Sequence, residues 1–508
     1  MKTESRTKKS VKNIIGGIIF RIIGVVFPFA IKTIIIWTLG AKYLGLNNLF
    51  SSVLSVLSLS ELGIGSALVF NMYKPLAEGN DEMVCALLKA YRRFYRIIGI
   101  VILLLGICLM PALKFLIKGE YPVEINIYVL FAIHLLDTVI SYFLFAYKGA
   151  LLEANQNNGV ENILHSITNI VMYVVQIVVL LVTHNYYLYL SLMPICTILL
   201  NLIRSKLVDR LYPKYKCCGN LDSSLIKDIF NKVKSLIGHK IGSTIITSAD
   251  NIVISSFLGL EVLAIYGNYY IIISSLIAFV TIFYTSITAS VGNSLVTDSK
   301  LQIYKTFSML NFLNNWIVGW CSVCLVCLYQ PFMKWWMGEK MMLPFHMVVL
   351  FSVYFYVWLA RRIGLTYKDA AGMWEQDFWK PYIGIVVNLV INIALVKIIG
   401  IEGVVISTII VMTLIYFPWE TYVLFEYIFN CSSKEYILKM LGYIVVTLVS
   451  GVVTFLLCSL VELEGILEII VRCLICVIVP NIIFIITYCK TSEFLQLKNK
   501  VLNILKQL

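Results

Sequence analysis

A chain of 508 residues that is 60% apolar and 14% charged, with a mean hydropathy of +0.87, is not a water-soluble globule, because soluble domains run at roughly 25% charged and under half apolar. Its apolar residues suffice for a dozen or more spans of ~20 residues each, which excludes a secreted disulfide scaffold, a disordered chain and a soluble enzyme on a single anchor. The net charge of +13, from 41 Lys and Arg against 28 Asp and Glu, would suggest nucleic acid in a soluble protein and marks the cytoplasmic side in a membrane protein.

The expected fold class is all-α and polytopic, with 14 transmembrane helices. The first six are predicted over 13–38, 46–71, 94–117, 123–146, 162–183 and 187–205. The first run is too long, and lacks the small-residue site, for a cleavable signal; it serves as its own insertion signal. The polar stretch 206–235 contains "SSLIKDIFNKVKSLIG" at helical periodicity and reads as an amphipathic helix on the membrane surface linking two halves. Six more spans are predicted over 236–258, 262–291, 308–329, 344–366, 380–398 and 401–425, then two over 437–460 and 465–489. The tail 492–508 is again amphipathic, with Leu495, Leu502 and Leu505 apolar and Lys498 and Lys500 polar. The domains expected are therefore 1–205 and 236–430 as six-helix lobes, 206–235 as linker, 431–491 as two extra helices, and 492–508 as tail.

Basic residues set the orientation. Only Lys42, Lys114, Lys118, Lys334, Lys340 and Lys397 fall in outer loops if the N-terminus is cytoplasmic, and Arg21, Lys32, Lys240 and Arg472 fall inside spans. The rest lie inside, so both termini are expected in the cytoplasm.

The chain repeats itself. "LGAKYLGL" at Leu39–Leu46 matches "LGLEVLAI" at Leu258–Ile265 at an offset of 219, and "YKGALLEANQ" at Tyr147–Gln156 matches "YKDAAGMWEQ" at Tyr367–Gln376 at an offset of 220. Six helices per offset give two parallel, pseudo-symmetric lobes about an axis along the membrane normal, with a shared cleft. Helices thirteen and fourteen stand outside the repeat.

An ionisable group at bilayer depth is costly and by default faces a cavity. Arg21 and Lys32 are eleven residues apart, within ~20° of one helix face and ~16 Å apart along it. The offset places Lys240 opposite Arg21, and Asn251, beside Asp250, opposite Lys32. These cations either meet an anionic substrate, with phosphate as the natural partner, or are neutralised internally, as by an Arg21–Glu61 bridge, or snorkel to the surface as Lys240 would. Asp250 is either a proton or sodium site, a hydrogen-bonded structural acid, or a partner for Lys32. Asp137 and His134 share a face of the fourth helix as a second candidate relay. Tyr266, Tyr269, Tyr270 and the Trp335–Trp336 pair read as interfacial belt residues, and Arg361 and Arg362 as topology determinants.

The thirteen cysteines show no metal-ligand spacing, and Cys321, Cys324 and Cys327 read as small apolar residues of one helix; no metal is expected. There is no catalytic constellation and no Walker-type glycine loop, so an enzyme is not expected and no cofactor is, beyond coupling to a sodium or proton gradient.

The stretches from Thr38 ("TLGAKYLGLNNLFSSVLSVLSLSELGIGSALVFNMYKPLAEGN"), Ser248 ("SADNIVISSFLGLEVLAIYGNY") and Gly372 ("GMWEQDFWKPYIGIVVNLVINIALVKIIGIEGVVISTII") resemble the bacterial lipid-linked oligosaccharide flippases, a branch of the multidrug/oligosaccharidyl-lipid/polysaccharide exporter superfamily. The resemblance reaches from the first helix to the twelfth. It implies two six-helix lobes around a cationic cavity that carries an undecaprenyl-diphosphate-linked glycan outward by alternating access. It also implies a cavity role for Arg21, Glu61, Lys240 and Asp250; Lys32 matches no motif of the family. Helices thirteen and fourteen would form a groove for the lipid tail, with Arg472 contributing. A monomer in the bacterial cytoplasmic membrane, working beside polysaccharide-assembly enzymes and binding no nucleic acid, is the expectation. The alternatives are a cation-coupled multidrug exporter of the same superfamily and a membrane-embedded polysaccharide polymerase or ligase.

Overall fold

The structure, a computed structural model, describes residues 24–58 and 64–507, without the side chains of 66, 223–225, 228–241, 243, 289, 501 and 503–507. Among the described residues there is no strand. The chain divides into two compact units, Met1–Asn268 and Tyr269–Leu508.

In the first unit α1 (Gly24–Thr38) is followed by α2 (Ala41–Leu57), α3 (Ile64–Glu78), α4 (Asp81–Leu109), α5 (Ile127–Phe143), α6 (Gly149–Ala154), α7 (Asn158–Thr183), α8 (Tyr186–Leu211) and α9 (Ser223–Leu258). Helix α10 (Leu260–Thr297) opens in this unit and continues into the second. There follow α11 (Lys300–Met337), α12 (Phe345–Ala360), α13 (Arg362–Ala370), α14 (Lys380–Ile399), α15 (Ile401–Val411), α16 (Phe417–Val423), α17 (Lys434–Ser459), α18 (Gly465–Tyr488) and α19 (Ser492–Gln507). Among the described residues ten helices are long and apolar enough to cross a membrane, and α5 with its continuation Ala146–Ala154, bent by 48°, adds an eleventh as one broken span.

Asparagine and serine side chains open several of these helices by accepting from backbone N–H groups that the first turn leaves unpaired. Asn80 accepts from Met83 N at 3.0 Å, Asn185 from Tyr187 N at 2.9 Å and Ser299 from Gln302 N at 3.4 Å. Asn80 and Ser299 are 219 positions apart. The helix breaks recur at the same spacing: Gly40 (φ 105, ψ 168) and Gly259 (φ 98, ψ 176) share a conformation that side-chain-bearing residues avoid, and Gly119 (φ 82) and Gly338 (φ 79) form a second such pair. The sequence repeat is thus also a repeat of backbone punctuation.

The stretch 206–235 is not a separate surface helix. Helix α8 runs to Leu211, a connector follows, and α9 continues unbroken from Ser223 to Leu258. No proline falls between those residues, so nothing interrupts the backbone hydrogen bonds at 235. The connector is fastened to α4 instead, by Lys214 on Asp81 at 2.7 Å and Lys89 on Asn220 at 2.9 Å. Helix α9, expected in the second lobe, groups with the first unit, where it packs along α2. Gly45 is the reason α2 can run so close to the start of α10: a Cβ there would collide with the Leu260 backbone.

Two π-helical segments, Met412–Tyr416 and Leu424–Phe429, flank α16. In the second unit Trp316 bonds Asn481 and Trp320 bonds the Cys476 carbonyl, both at 2.8 Å, which fixes α18 against α11.

Candidate functional site

Four helices of the first unit meet in a polar strip. Lys32 on α1 donates to the Gly267 carbonyl of α10 at 2.9 Å, and among the described residues no carboxylate lies within ion-pair distance of it. Gly267 in turn sits against the Asn48 amide of α2, closely enough that a Cβ would overlap it. One turn on, Ser52 donates to the Asn48 carbonyl and accepts from Asn251 of α9 at 2.8 Å. Asp250, next to Asn251, is 3% exposed.

Several polar atoms of this strip are unsatisfied. Asn47 Oδ1, Asn48 Nδ2 and both amide atoms of Asn268 are buried without a hydrogen-bond partner among the described residues, and Asn268 itself is 0% exposed. Left unpaired, each such group would cost roughly 1–3 kcal/mol, so the strip has bonding capacity for a polar ligand, ion or water. An ammonium and several amides offer donors suited to an anion or a hydroxyl-rich group.

The sequence-expected residues divide as follows. Lys32, Asn251 and Asp250 lie along or beside this strip. Arg21 and Glu61 lie outside the described residues, as does the side chain of Lys240, whose backbone is part of α9. Arg472 is engaged within its own helix by Glu468 at 2.7 Å. Asp137 accepts from Thr197 of α8 at 2.6 Å and lines a cavity of about 400 Å³ with His165, Thr168, Asn201 and Arg204. The His134 ring packs edge-on to Phe50 of α2 at 5.7 Å. Among the described residues no hydrogen bond or ion pair joins the two, so they do not form a relay here: Asp137 is engaged by α8 and the His134 ring packs on α2.

Other expectations are overturned by burial. Tyr266 and Tyr269 are 3% and 0% exposed, so they are not belt residues; in the second unit Tyr269 stacks on Tyr329 at 5.1 Å and bonds Gln330 at 3.0 Å. Arg361, expected as a topology determinant, is 8% exposed and anchors an ion network. Glu420 on α16 accepts from Arg361 at 2.5 Å and from Lys380 at 2.8 Å, while Asp377 accepts from Lys380 at 2.6 Å and Lys368 at 2.7 Å. The first unit contains a comparable junction: Arg204 of α8 binds Glu161 of α7 at 2.6 Å, and Lys148 binds Asp209 at 2.6 Å.

Sequence reasoning missed Asn47, Asn48 and Asn268 because it searched for charges. The available signal was an adjacent pair of amides inside an apolar run, which a span does not need for insertion.

No protein-family model matches the chain, and no curated protein matches it in sequence. Solved structures do match. "Lipid II flippase MurJ, inward closed conformation" aligns with a TM-score of 0.70 at 15% identity over 94% of this chain and 99% of its own. An inward-facing multidrug resistance MATE family transporter of the MOP superfamily aligns at 0.61 and 14% identity over 78% of this chain and 93% of its own. A MOP superfamily transporter from Pyrococcus furiosus aligns at 0.52 and 13% identity over 82% and 94%. This chain is a multi-pass helical membrane protein with the fold of the MOP superfamily of flippases and exporters.

Proposed function

We propose that the chain is a flippase that moves an undecaprenyl-diphosphate-linked oligosaccharide from the inner to the outer leaflet of a bacterial cytoplasmic membrane for surface polysaccharide synthesis. It acts as a transporter, without making or breaking covalent bonds. In this reading fourteen spans form two six-helix lobes and two extra helices, both termini are cytoplasmic, and a monomer alternates between inward- and outward-open states. Lys32, with Arg21 and Lys240, pairs with the diphosphate, the amides of Asn48, Asn251 and Asn268 meet polar groups of the head, and the polyprenyl tail stays in lipid. Asp250 and Asp137 are the candidate sites for a coupling proton or sodium ion, and polysaccharide-assembly enzymes supply and consume the cargo.

The observation that carries this reading is Lys32: a cation on the short apolar helix α1 that donates to a backbone carbonyl rather than to a carboxylate. An anionic headgroup would complete it, whereas cationic drugs would be repelled. The likeness to the lipid flippase also extends over more of the chain than that to the multidrug exporter, 94% against 78%.

The test is reconstitution in proteoliposomes carrying a polyprenyl-diphosphate glycan. Lys32→Ala should lower translocation at least tenfold with unchanged protein in the membrane, and Lys32→Arg should retain part of it. Full translocation by Lys32→Ala would remove the headgroup role. Export of cationic dyes by the wild type, with no glycan movement, would favour the multidrug reading.

A further inference from the structure

In the second unit three helices bring cysteines to one point. The thiols of Cys327 on α11, Cys458 on α17 and Cys476 on α18 lie within 4.8 Å of one another and are 1%, 0% and 0% exposed. Cys324, one turn before Cys327, packs against the same cluster. The backbone around these sulfurs is held: Trp320 donates to the Cys476 carbonyl at 2.8 Å, and Cys458 approaches the Arg472 carbonyl at 4.0 Å. A thiol packed only as a small apolar group needs no second sulfur beside it, and alanine would fill such a gap as well.

We propose that Cys327, Cys458 and Cys476 form a site for a thiophilic d10 cation, with Cys324 as a fourth donor, beyond the transport role proposed above. Soft thiolate sets select zinc-like divalent ions or monovalent copper. Metal–sulfur bonds of ~2.3 Å place ligand sulfurs roughly 3.8–4.0 Å apart, so the cluster closes on an ion with a contraction of under about 1 Å. Each thiol gives up its proton as the bond forms. Three thiolates on a divalent ion leave one negative charge, and Arg472, which Glu468 holds at 2.7 Å, lies one turn from Cys476. The bound ion would staple α17 and α18 to α11.

The full chain, purified reduced and metal-free with Cys217→Ser and Cys218→Ser to remove an adjacent thiol pair in the connector, is titrated with Cd²⁺ or Cu(I). One equivalent should bind with a saturating sulfur-to-metal charge-transfer band, and Mg²⁺ should give none. Saturation by Cd²⁺ or by Cu(I) alone identifies the divalent or the monovalent class. Cys476→Ala should weaken binding by more than the ~10–100-fold that loss of an outer-shell partner costs, and Cys327→Ala with Cys458→Ala and Cys476→Ala should abolish the band. A band that survives in the single and triple variants, or a titration without a one-equivalent end point, overturns the proposal. Should the triple variant fail to fold, the single variant's affinity decides.

Discussion

Replacing Glu420 by Gln keeps the shape of the side chain and removes its charge from the most heavily buried ion network of the second unit. Glu420 is 3% exposed, and a single oxygen accepts from both Arg361 and Lys380. With Asp377, and with Asp369 at 3.5 Å from Lys368, it balances the buried cations Arg361, Lys368 and Lys380, so the substitution leaves one positive charge in excess. Charge-assisted bonds contribute ~1.5–3 kcal/mol each and neutral ones ~0.5–1.5; exchanging two of the first kind for two of the second costs about 2–3 kcal/mol. Leaving two cations undercompensated raises this towards the ~3–5 kcal/mol typical of a broken buried pair. For a cooperative unit the length of Tyr269–Leu508, an unfolding entropy of ~2.1 cal/mol/K per residue converts ~3–4 kcal/mol into a fall of roughly 6–8 °C in Tm. The assay is thermal unfolding of detergent-purified protein followed by tryptophan fluorescence. Glu375→Gln, at an exposed position nearby, should move Tm little, since surface substitutions stay within about ±0.5 kcal/mol. A Glu420→Gln protein melting within about 2 °C of the wild type, on the same conversion, would refute the view that this carboxylate neutralises the network.

Gly40→Ala and Gly259→Ala should each cost ~1–3 kcal/mol, because both glycines hold a backbone conformation closed to alanine; equal melting curves for wild type and variants would contradict that. At α19, burial acts to raise the Glu493 carboxyl, but hydrogen bonds from Lys439 and Ser492 outweigh it and hold the group below the usual carboxylate range. Its contribution is present above the unfolded value near ~4.3 and is lost as pH falls through the folded one. Docking of α19, reported by Trp316 beside Phe494 at 6.0 Å, should therefore loosen on acidification in the wild type and show a weaker pH dependence in Glu493→Gln. Asn268→Leu should leave Tm unchanged or raise it, since two unpartnered amide atoms disappear, while glycan translocation falls; a lower Tm would mean that the amide is structural.

The fold was legible in the sequence wherever apolar length and breakers speak locally. The offset found in "LGAKYLGL" and "LGLEVLAI" returns as the paired conformations of Gly40 and Gly259. What failed needed partners far along the chain. The periodicity of 223–238 marks a helix but carries no information on where it stops, so α9 was cut at 235 although it runs from Ser223. Tyr269 resembled a belt residue because an aromatic near a span end fits both a headgroup layer and a core; only Tyr329 and Gln330, some sixty residues on, decide for the core. Arg361 next to Arg362 resembled a positive-inside pair for the same reason, its carboxylate being supplied by Glu420 on another helix.

Pairing with a carboxylate is also what sets other buried cations of this chain apart from Lys32. Arg204, Arg361, Lys380 and Arg472 all lie in spans, and each has a carboxylate oxygen within 2.8 Å. Such pairs are closed: an added anion would have to displace a carboxylate already bonded, at the cost of leaving that acid uncompensated. Lys32 is arranged differently, since a backbone carbonyl is an acceptor without net charge, and the buried amides of Asn48 and Asn268 lie around the same glycine with bonding capacity to spare. An arriving phosphate would gain a charge-assisted bond there and break no ion pair. On the proposed reading such binding would be easily reversed as well, because the ammonium would return to its carbonyl when the anion left, as a carrier that releases its cargo on the far side requires.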